Sequence, residues 1–258
     1  MPNQKDVLNA IIAAQKEAAA LILQAHGVLA ETKTGHRDVV TEYDRRVQEL
    51  LMVRLSAAVP GAVFFCEENE QQGDLQAEHV FVIDPIDGTM NFVRGFHHSA
   101  ISVAYMRSGV LRAASVYNPY AEECFSALAG EGAWCNGRPI HAGELPLSES
   151  VVCCGTAPYS PQLADSTFDL IKKAFLASLD IRREGSAALD MCSAAAGRAG
   201  VFFEYSVSLW DIAAGMLLMQ EAGGVCCRLD GSPIPLAGGK TSILAGGKQA
   251  VADFLKLV

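Results

Sequence analysis

A chain of 258 residues that is 50% apolar, with a mean hydropathy of +0.21, carries enough nonpolar surface for an extensive core and shows no sign of disorder. A formal charge of −9 and a pI near 5.1 without basic clusters argue against a nucleic-acid partner, whose binding rests on cationic contacts. Lys5, Asp6, Lys16 and Glu17 interrupt the apolar pattern of the first thirty residues, so neither a signal peptide nor a membrane span is expected and the protein reads as cytoplasmic and soluble.

Hydrophobic periodicity predicts an amphipathic helix over about 3–30 and a second over about 41–58, stopped by Pro60-Gly61. Strands follow at about 62–66, 79–83, 98–106 and 110–117, then a hairpin near 123–135 turning at Gly130-Glu131-Gly132. Residues 136–150 are polar and turn-rich. Beyond them the pattern alternates: strand 151–155, helix 162–178, strand 180–183, helix 186–197, strand 201–205, helix 209–222, strands 224–228 and 241–245, and a last helix 247–257. A meander followed by alternation predicts an α/β (α+β) protein, one unit over 1–258 built as two layered halves, about 1–145 and 146–258, around one cleft. Of the eight cysteines, Cys153-Cys154 and Cys226-Cys227 are vicinal and no Cys-x-x-Cys occurs. That spacing argues against zinc, and in apolar runs a reduced cysteine behaves as a small hydrophobe.

The chemistry concentrates at 79–92, where an apolar strand pattern ends in Asp84 and Asp87 around Pro85, followed by Gly88-Thr89. Asp-Pro and Asp-Gly are ordinary turn dipeptides, and alone this segment reads as a turn. Pro85, Gly88 and the lack of a closing glutamate rule against a calcium loop of the EF-hand kind. The company of these residues changes the reading. The apolar run Ala62–Cys66 ends in Glu67-Glu68, and Leu209-Trp210-Asp211 opens a helical pattern with a carboxylate in its first turn. One such Asp is usually a helix-terminus complement worth about 0.5–1 kcal/mol. Three acidic element ends in one chain suit a cation that offsets their repulsion and desolvation, and hard oxygens at close spacing favour magnesium-like ions.

Glu67-Glu68, the run Asp84-Pro85-Ile86-Asp87-Gly88-Thr89, and Trp210-Asp211 with Ala213-Ala214-Gly215 resemble, in that order, the three metal-binding motifs of the inositol monophosphatase family of magnesium-dependent, lithium-sensitive phosphatases. The resemblance runs from about Asp38 to Gly224, with Cys66 standing where the family commonly has Gly. It implies a layered αβαβα sandwich, a homodimer, and two or three Mg²⁺ ions. Glu67, Asp84 and the Ile86 carbonyl would hold one ion; Asp84, Asp87 and Asp211 a second; a third would lie near Glu67. It also implies hydrolysis of a phosphate monoester by a metal-activated water, without a phosphoenzyme.

The same resemblance gives the remaining residues their expected roles. Thr89, with Asp44 from Asp38-Val39-Val40-Thr41-Glu42-Tyr43-Asp44, would orient the attacking water, next to the catalytic Glu67. Gly88 and Thr89 would present amides to the phosphate. Gly185, Ser186, Ala187, Glu204 and Asp211 would line the pocket, with Glu204 bonding hydroxyls of a polyol. From the sequence alone Glu204 is equally an exposed strand-end charge. Met90-Asn91 after Thr89 separates the chain from the sulfur-assimilation nucleotidases, which carry a Lys-Glu pair there. The expected substrate is myo-inositol monophosphate or a related polyol phosphate. The alternatives are a fructose-1,6-bisphosphatase-like enzyme, for which Arg182, Arg183 and Arg198 are candidate contacts to the distal phosphate, and a regulatory binding partner that keeps the phosphatase fold.

Overall fold

The computed structural model describes residues 3–35, 38–69 and 71–258. Helix α1 (Gln4–Leu23) starts at Asn3, whose side chain accepts from Lys5 N. Its buried stripe ends at Ile22 and Gly27 takes a positive φ, so the helix stops short of the predicted residue 30. A hairpin follows, β1 (Ala30–Gly35) against β2 (Asp38–Thr41), which the periodicity does not predict because the sequence there is polar and offers no alternating apolar face. Next come α2 (Glu42–Ala58), β3 (Val63–Cys66), β4 (Val80–Asp87), the short α3 (Thr89–Arg94), β5 (Ala100–Arg107), β6 (Val110–Asn118), β7 (Glu123–Leu128), β8 (Gly132–Cys135) and β9 (Arg138–Pro139). The rest is β10 (Val151–Cys154), α4 (Ala164–Ala177), β11 (Asp180–Arg182), α5 (Ala187–Ala195), β12 (Val201–Val207), α6 (Leu209–Glu221), β13 (Val225–Cys227), β14 (Thr241–Gly246) and α7 (Lys248–Phe254).

Strands β3 to β9 form a seven-stranded sheet in sequence order, antiparallel except for the parallel pair β3 and β4. The five-stranded sheet runs β11-β10-β12-β14-β13, with β10 parallel to both of its neighbours. Both sheets are buried on both faces, which is why their strands read as nearly continuous apolar runs. Along β4, Phe81 and Ile83 pack with Ile11 of α1 and Leu51 of α2, while Val80 and Val82 face Met191 of α5 and Leu217 of α6. Along β12, Phe202 faces that same α5–α6 layer, and Val201 and Phe203 turn outward to Leu170 of α4 and Phe254 of α7. The period of two along each strand thus stacks five layers, αβαβα. Each of these large side chains contributes about 1.5–3 kcal/mol by full burial. Six of the eight free cysteines are buried, with Cys135 and Cys226 half-buried, and they fill the core as small apolar groups. No helix among the described residues is long and apolar enough to cross a membrane.

Of the departures from regular pairing, two border the same cleft. On β4, Asp84 pairs with Ser102 and Asp87 with Ala100, three steps against two. On β12, Glu204 pairs with Ile243 and Val207 with Thr241, again three against two. Each is a bulge that redirects the side chains beside it, and both open onto one cleft between the sheets.

Candidate active site

The cleft, about 370 Å³, is lined from the large sheet by Glu67, Asp84, Ile86, Asp87, Gly88 and Thr89, from the small sheet side by Gly155, Arg183, Gly185, Ser186 and Glu204, and from α6 by Asp211. Residues three apart on a regular strand face opposite ways. The extra residue in the β4 bulge removes that obstacle, and oxygens of Asp84, Asp87 and Asp211 all lie within 4.8 Å of one another. Pro85 suits the bulge because it has no N–H to lose from the ladder.

Each aspartate is oriented by backbone amides. Ile86 N donates to Asp84 Oδ1 at 3.0 Å, Ser208 N to Asp211 Oδ2 at 2.7 Å, and Ala188 N to Asp87 Oδ2 at 2.8 Å. Asp87 Oδ2 also accepts the Ser186 hydroxyl at the start of α5. Burial, followed by repulsion from Glu67, Asp87 and Asp211, holds the Asp84 carboxyl well above the usual range, and burial with repulsion from Asp87 and Glu67 does the same to Asp211. Burial also raises Asp87, but the bonds from Ser186, Ala188, Ala187 and Gly88 limit it to about 6. No Lys or Arg among the described residues pairs with these three aspartates. Close, buried, hard oxygens repelling one another without a cationic side chain fit a divalent ion such as Mg²⁺.

Glu67 leaves β3 with its N–H on Ile83 O at 3.1 Å, and its charge reaches both Asp84 and Asp211. Cys66, at the glycine position of the motif, takes no left-handed φ; its backbone is clamped by Gln72, which accepts from Cys66 N at 2.9 Å and donates to Cys66 O at 2.6 Å. The turn therefore does not require glycine. Asp44, fully buried, lies behind Thr89: the Thr89 hydroxyl sits 3.3 Å from Asp44 Oδ1 and 3.0 Å from Ile86 O. Gly88 is required, with φ +86 and a Cβ that would sit 3.0 Å from His98 O and 3.1 Å from Gly185 O.

Glu204 is no exposed strand-end charge. Its Oε1 accepts from Ala157 N at 2.8 Å, and a Cβ on Gly155 would fall 1.9 Å from Oε2, so Gly155 gives the carboxyl its room. Burial, opposed by the Ala157 bond, pushes its pKa up to about 7. The Gly185-Ser186-Ala187 wall is fixed by Asn91, whose amide donates to His98 O and to Glu184 O, both at 2.7 Å.

The supports are what sequence reasoning missed. Thr41 N donates to Asp44 Oδ2 at 2.8 Å, as Ser208 N does to Asp211, so both acids are third residues of capping boxes. The signal was present as Thr41-x-x-Asp44 and Ser208-x-x-Asp211. Asp190 is also on the cleft wall, buried, with Oδ1 lacking a hydrogen-bond partner among the described residues. Arg182 and Arg198 lie elsewhere, paired with Asp180 and Glu123, whereas Arg183 is on the cleft.

The sequence matches the model of the inositol monophosphatase family over residues 3–257. It is 34% identical to the putative Nus factor SuhB of Neisseria meningitidis serogroup B over 97% of both chains. It is also 34% identical to the inositol-1-monophosphatase of Mesorhizobium japonicum, over 98% of this chain and 96% of that one. A solved structure of an IMPase/NADP phosphatase complexed with Mg²⁺ and phosphate matches with a TM-score of 0.88 and 26% identity, over 98% of this chain and 95% of that one. With motifs, layers and matches in agreement, the chain belongs to the inositol monophosphatase family.

Proposed function

We propose that the protein hydrolyses a small phosphate monoester, myo-inositol monophosphate or a related polyol phosphate, to the alcohol and inorganic phosphate with Mg²⁺. The observation that carries this reading is the triad of buried aspartates gathered by the β4 bulge and the start of α6. In it Glu67, Asp84 and the Ile86 carbonyl hold one ion, Asp84, Asp87 and Asp211 a second, and a third lies near Glu67; Mg²⁺ in the related phosphatase structure supports the choice of metal. When bound, such ions lower the pKa of water and neutralise charge on the phosphoryl and leaving oxygens.

The chain's own groups do the positioning. The Thr89 hydroxyl proton is shared between Ile86 O and Asp44 Oδ1, which leaves the Thr89 oxygen lone pairs to accept from a water and aim it. Gly88 and Thr89 both line the cleft; the Gly88 amide already supports the Asp87 carboxyl, and the Thr89 amide is the one offered to a phosphoryl oxygen. Glu204 accepts hydroxyls of the polyol, and the Gly185-Ser186-Ala187 wall shapes the ring's place. Ser186 acts mainly through Asp87, since its hydroxyl is already donated there. The test is a panel of inositol 1-phosphate, fructose 1,6-bisphosphate, a 3′-phosphonucleotide and histidinol phosphate with Mg²⁺. Phosphate release led by the inositol ester is the expected result, and no release from any of them removes the reading.

A homodimer belongs to the same proposal. Helix α4 and the two residues after it expose Phe168 (61%), Phe175 (53%), Leu176 (74%) and Leu179 (65%), an apolar stripe suited to a second copy. A single-chain mass by light scattering would contradict it. The names of the SuhB relatives favour a second reading, in which the folded protein also serves as a regulatory binding partner. Association that persists in a variant with a disabled metal site would separate that role from catalysis.

A further inference from the structure

Four carboxyls that line the cleft are each held by a backbone amide: Asp84 by Ile86 N, Asp87 by Ala188 N, Asp211 by Ser208 N and Glu204 by Ala157 N. Asp190 differs. It lies in the first turn of α5, three residues after Ala187 and therefore on the same face of the helix, and both residues line the cleft. The neighbouring Leu189, Met191 and Cys192 belong instead to the core between the sheets. Asp190 is 1% exposed, and no Lys, Arg or His among the described residues pairs with it. Its Oδ1 has no hydrogen-bond partner among them. It also stands outside the group of oxygens formed by Asp84, Asp87 and Asp211, so an ion held by those three does not supply the missing partner.

A buried acceptor left unmade is costly, and in a folded protein it normally finds a partner. For Asp190 that partner can arrive through the cleft, since the residue is part of its wall. Glu204 of β12 and Gly155 share this wall, and the Cys153 thiol of β10 lies beside the carboxyl. Burial, followed by repulsion from Glu184, Asp87 and Glu204, holds the Asp190 carboxyl well above the usual range, so it donates as well as accepts. A hydroxyl does both too. A phosphate or carboxylate there would set another negative charge against Glu184 and Glu204, which a neutral hydroxyl avoids.

We propose that Asp190 is a specificity-determining contact of the cleft, which hydrogen-bonds a substrate hydroxyl other than the one taken by Glu204; this rests on the phosphatase reading above. Two acids on one wall, from α5 and β12, fix a ring at two points. They therefore set its orientation as well as its affinity, and the cleft selects polyol esters with two hydroxyls within reach over aryl or simple alkyl esters.

The test pairs variants with substrates, using the full chain and Mg²⁺. Asp190→Leu removes the polar group and should raise KM for inositol 1-phosphate by roughly tenfold with kcat little changed, while an aryl phosphate is hydrolysed as by the wild type. Asp190→Asn keeps a donor and an acceptor in the same shape and should stay within about threefold of the wild type. Among inositol 1-phosphate analogues that each lack one hydroxyl, one should lose roughly tenfold on the wild type and nothing further on Asp190→Leu, and a different one should behave so with Glu204→Gln. Equal losses on inositol and aryl esters, or analogue losses that simply add to that of Asp190→Leu, would make Asp190 a structural support of α5 and overturn the contact. Crystals of the wild type with inositol 1-phosphate and Ca²⁺ keep the proposal testable if the leucine variant fails to fold. A ring hydroxyl within about 3.2 Å of Asp190 Oδ1 is expected, and a water there with and without the ester would overturn the contact. In both cases monoester hydrolysis would stand, whereas folded wild-type protein that releases phosphate from neither ester would defeat the phosphatase reading and this inference with it.

Discussion

Strands β4 and β12 carry the same irregularity, one extra residue against the neighbouring strand, yet they build different halves of the cleft. At β4 the bulge turns Asp84 and Asp87 together and the surroundings add more negative charge, from Asp211 and Glu67. At β12 the bulge presents one carboxyl, Glu204, amid neutral backbone, with Arg183 and Lys240 within electrostatic reach. The first concentrates repulsion that only an added cation relieves; the second offers a single acceptor at the border of protonation. On the proposed reading, one backbone device yields a metal end and a substrate end, according to which side chains flank it.

The comparison is broken most severely at the metal end. Asp84→Asn should lower kcat/KM by about 10³-fold or more, beyond the roughly 10–100-fold typical of partners outside the ligand set. In Mg²⁺-free buffer the same variant should melt higher than the wild type, because an unpaired, repelled buried charge is removed. Wild-type activity in that variant would dissolve the asymmetry between the two ends. Thr89→Val should cost about 10²-fold or more in kcat with little change in KM, the usual scale for a group that manages a proton, and Thr89→Ser should restore most of it. An unchanged kcat in the valine variant would take Thr89 and Asp44 out of water positioning.

At the substrate end the effects are smaller. Glu204→Gln should lower kcat/KM for inositol 1-phosphate by roughly tenfold, the value of one bond to a charged group, while an aryl phosphate changes less. Equal losses on both substrates would move Glu204 out of the polyol contact. The smallest effect is on stability. Folded-state values of about 6 for Asp87 and about 7 for Glu204 exceed those of unfolded carboxylates, so the folded chain binds more protons across this interval. The metal-free protein should therefore lose stability as pH rises from about 4 to about 7, at about 2–4 °C of Tm per kcal/mol. Saturating Mg²⁺ should raise Tm near neutral pH and flatten that slope. A Tm that rises through the same interval without metal would contradict the burial of these acids.

Much of the metal end was legible because it is written in local chemistry. Asp-Pro-Ile-Asp-Gly-Thr at the end of an apolar strand carries its own bulge former in Pro85 and its own left-handed turn in Gly88. The substrate end was less legible because nothing beside Glu204 announces a bulge, and the room for its carboxyl comes from Gly155, nearly fifty residues away. Arg183 could not be told from Arg182 in the sequence, since their fates turn on the tertiary neighbours Asp180 and Thr156. The two layered halves followed from a meander giving way to alternation and the αβαβα order from the family resemblance, whereas the β1–β2 hairpin escaped because a polar hairpin leaves no hydrophobic period.

The central claim is that Asp84, Asp87 and Asp211 form a divalent-cation cage. Anomalous diffraction from crystals soaked in Mn²⁺ tests it directly. The account predicts a strong peak among the oxygens of those three residues, lost in Asp84→Asn; a well-ordered cleft with no peak there, and Mn²⁺ bound only elsewhere, would contradict it.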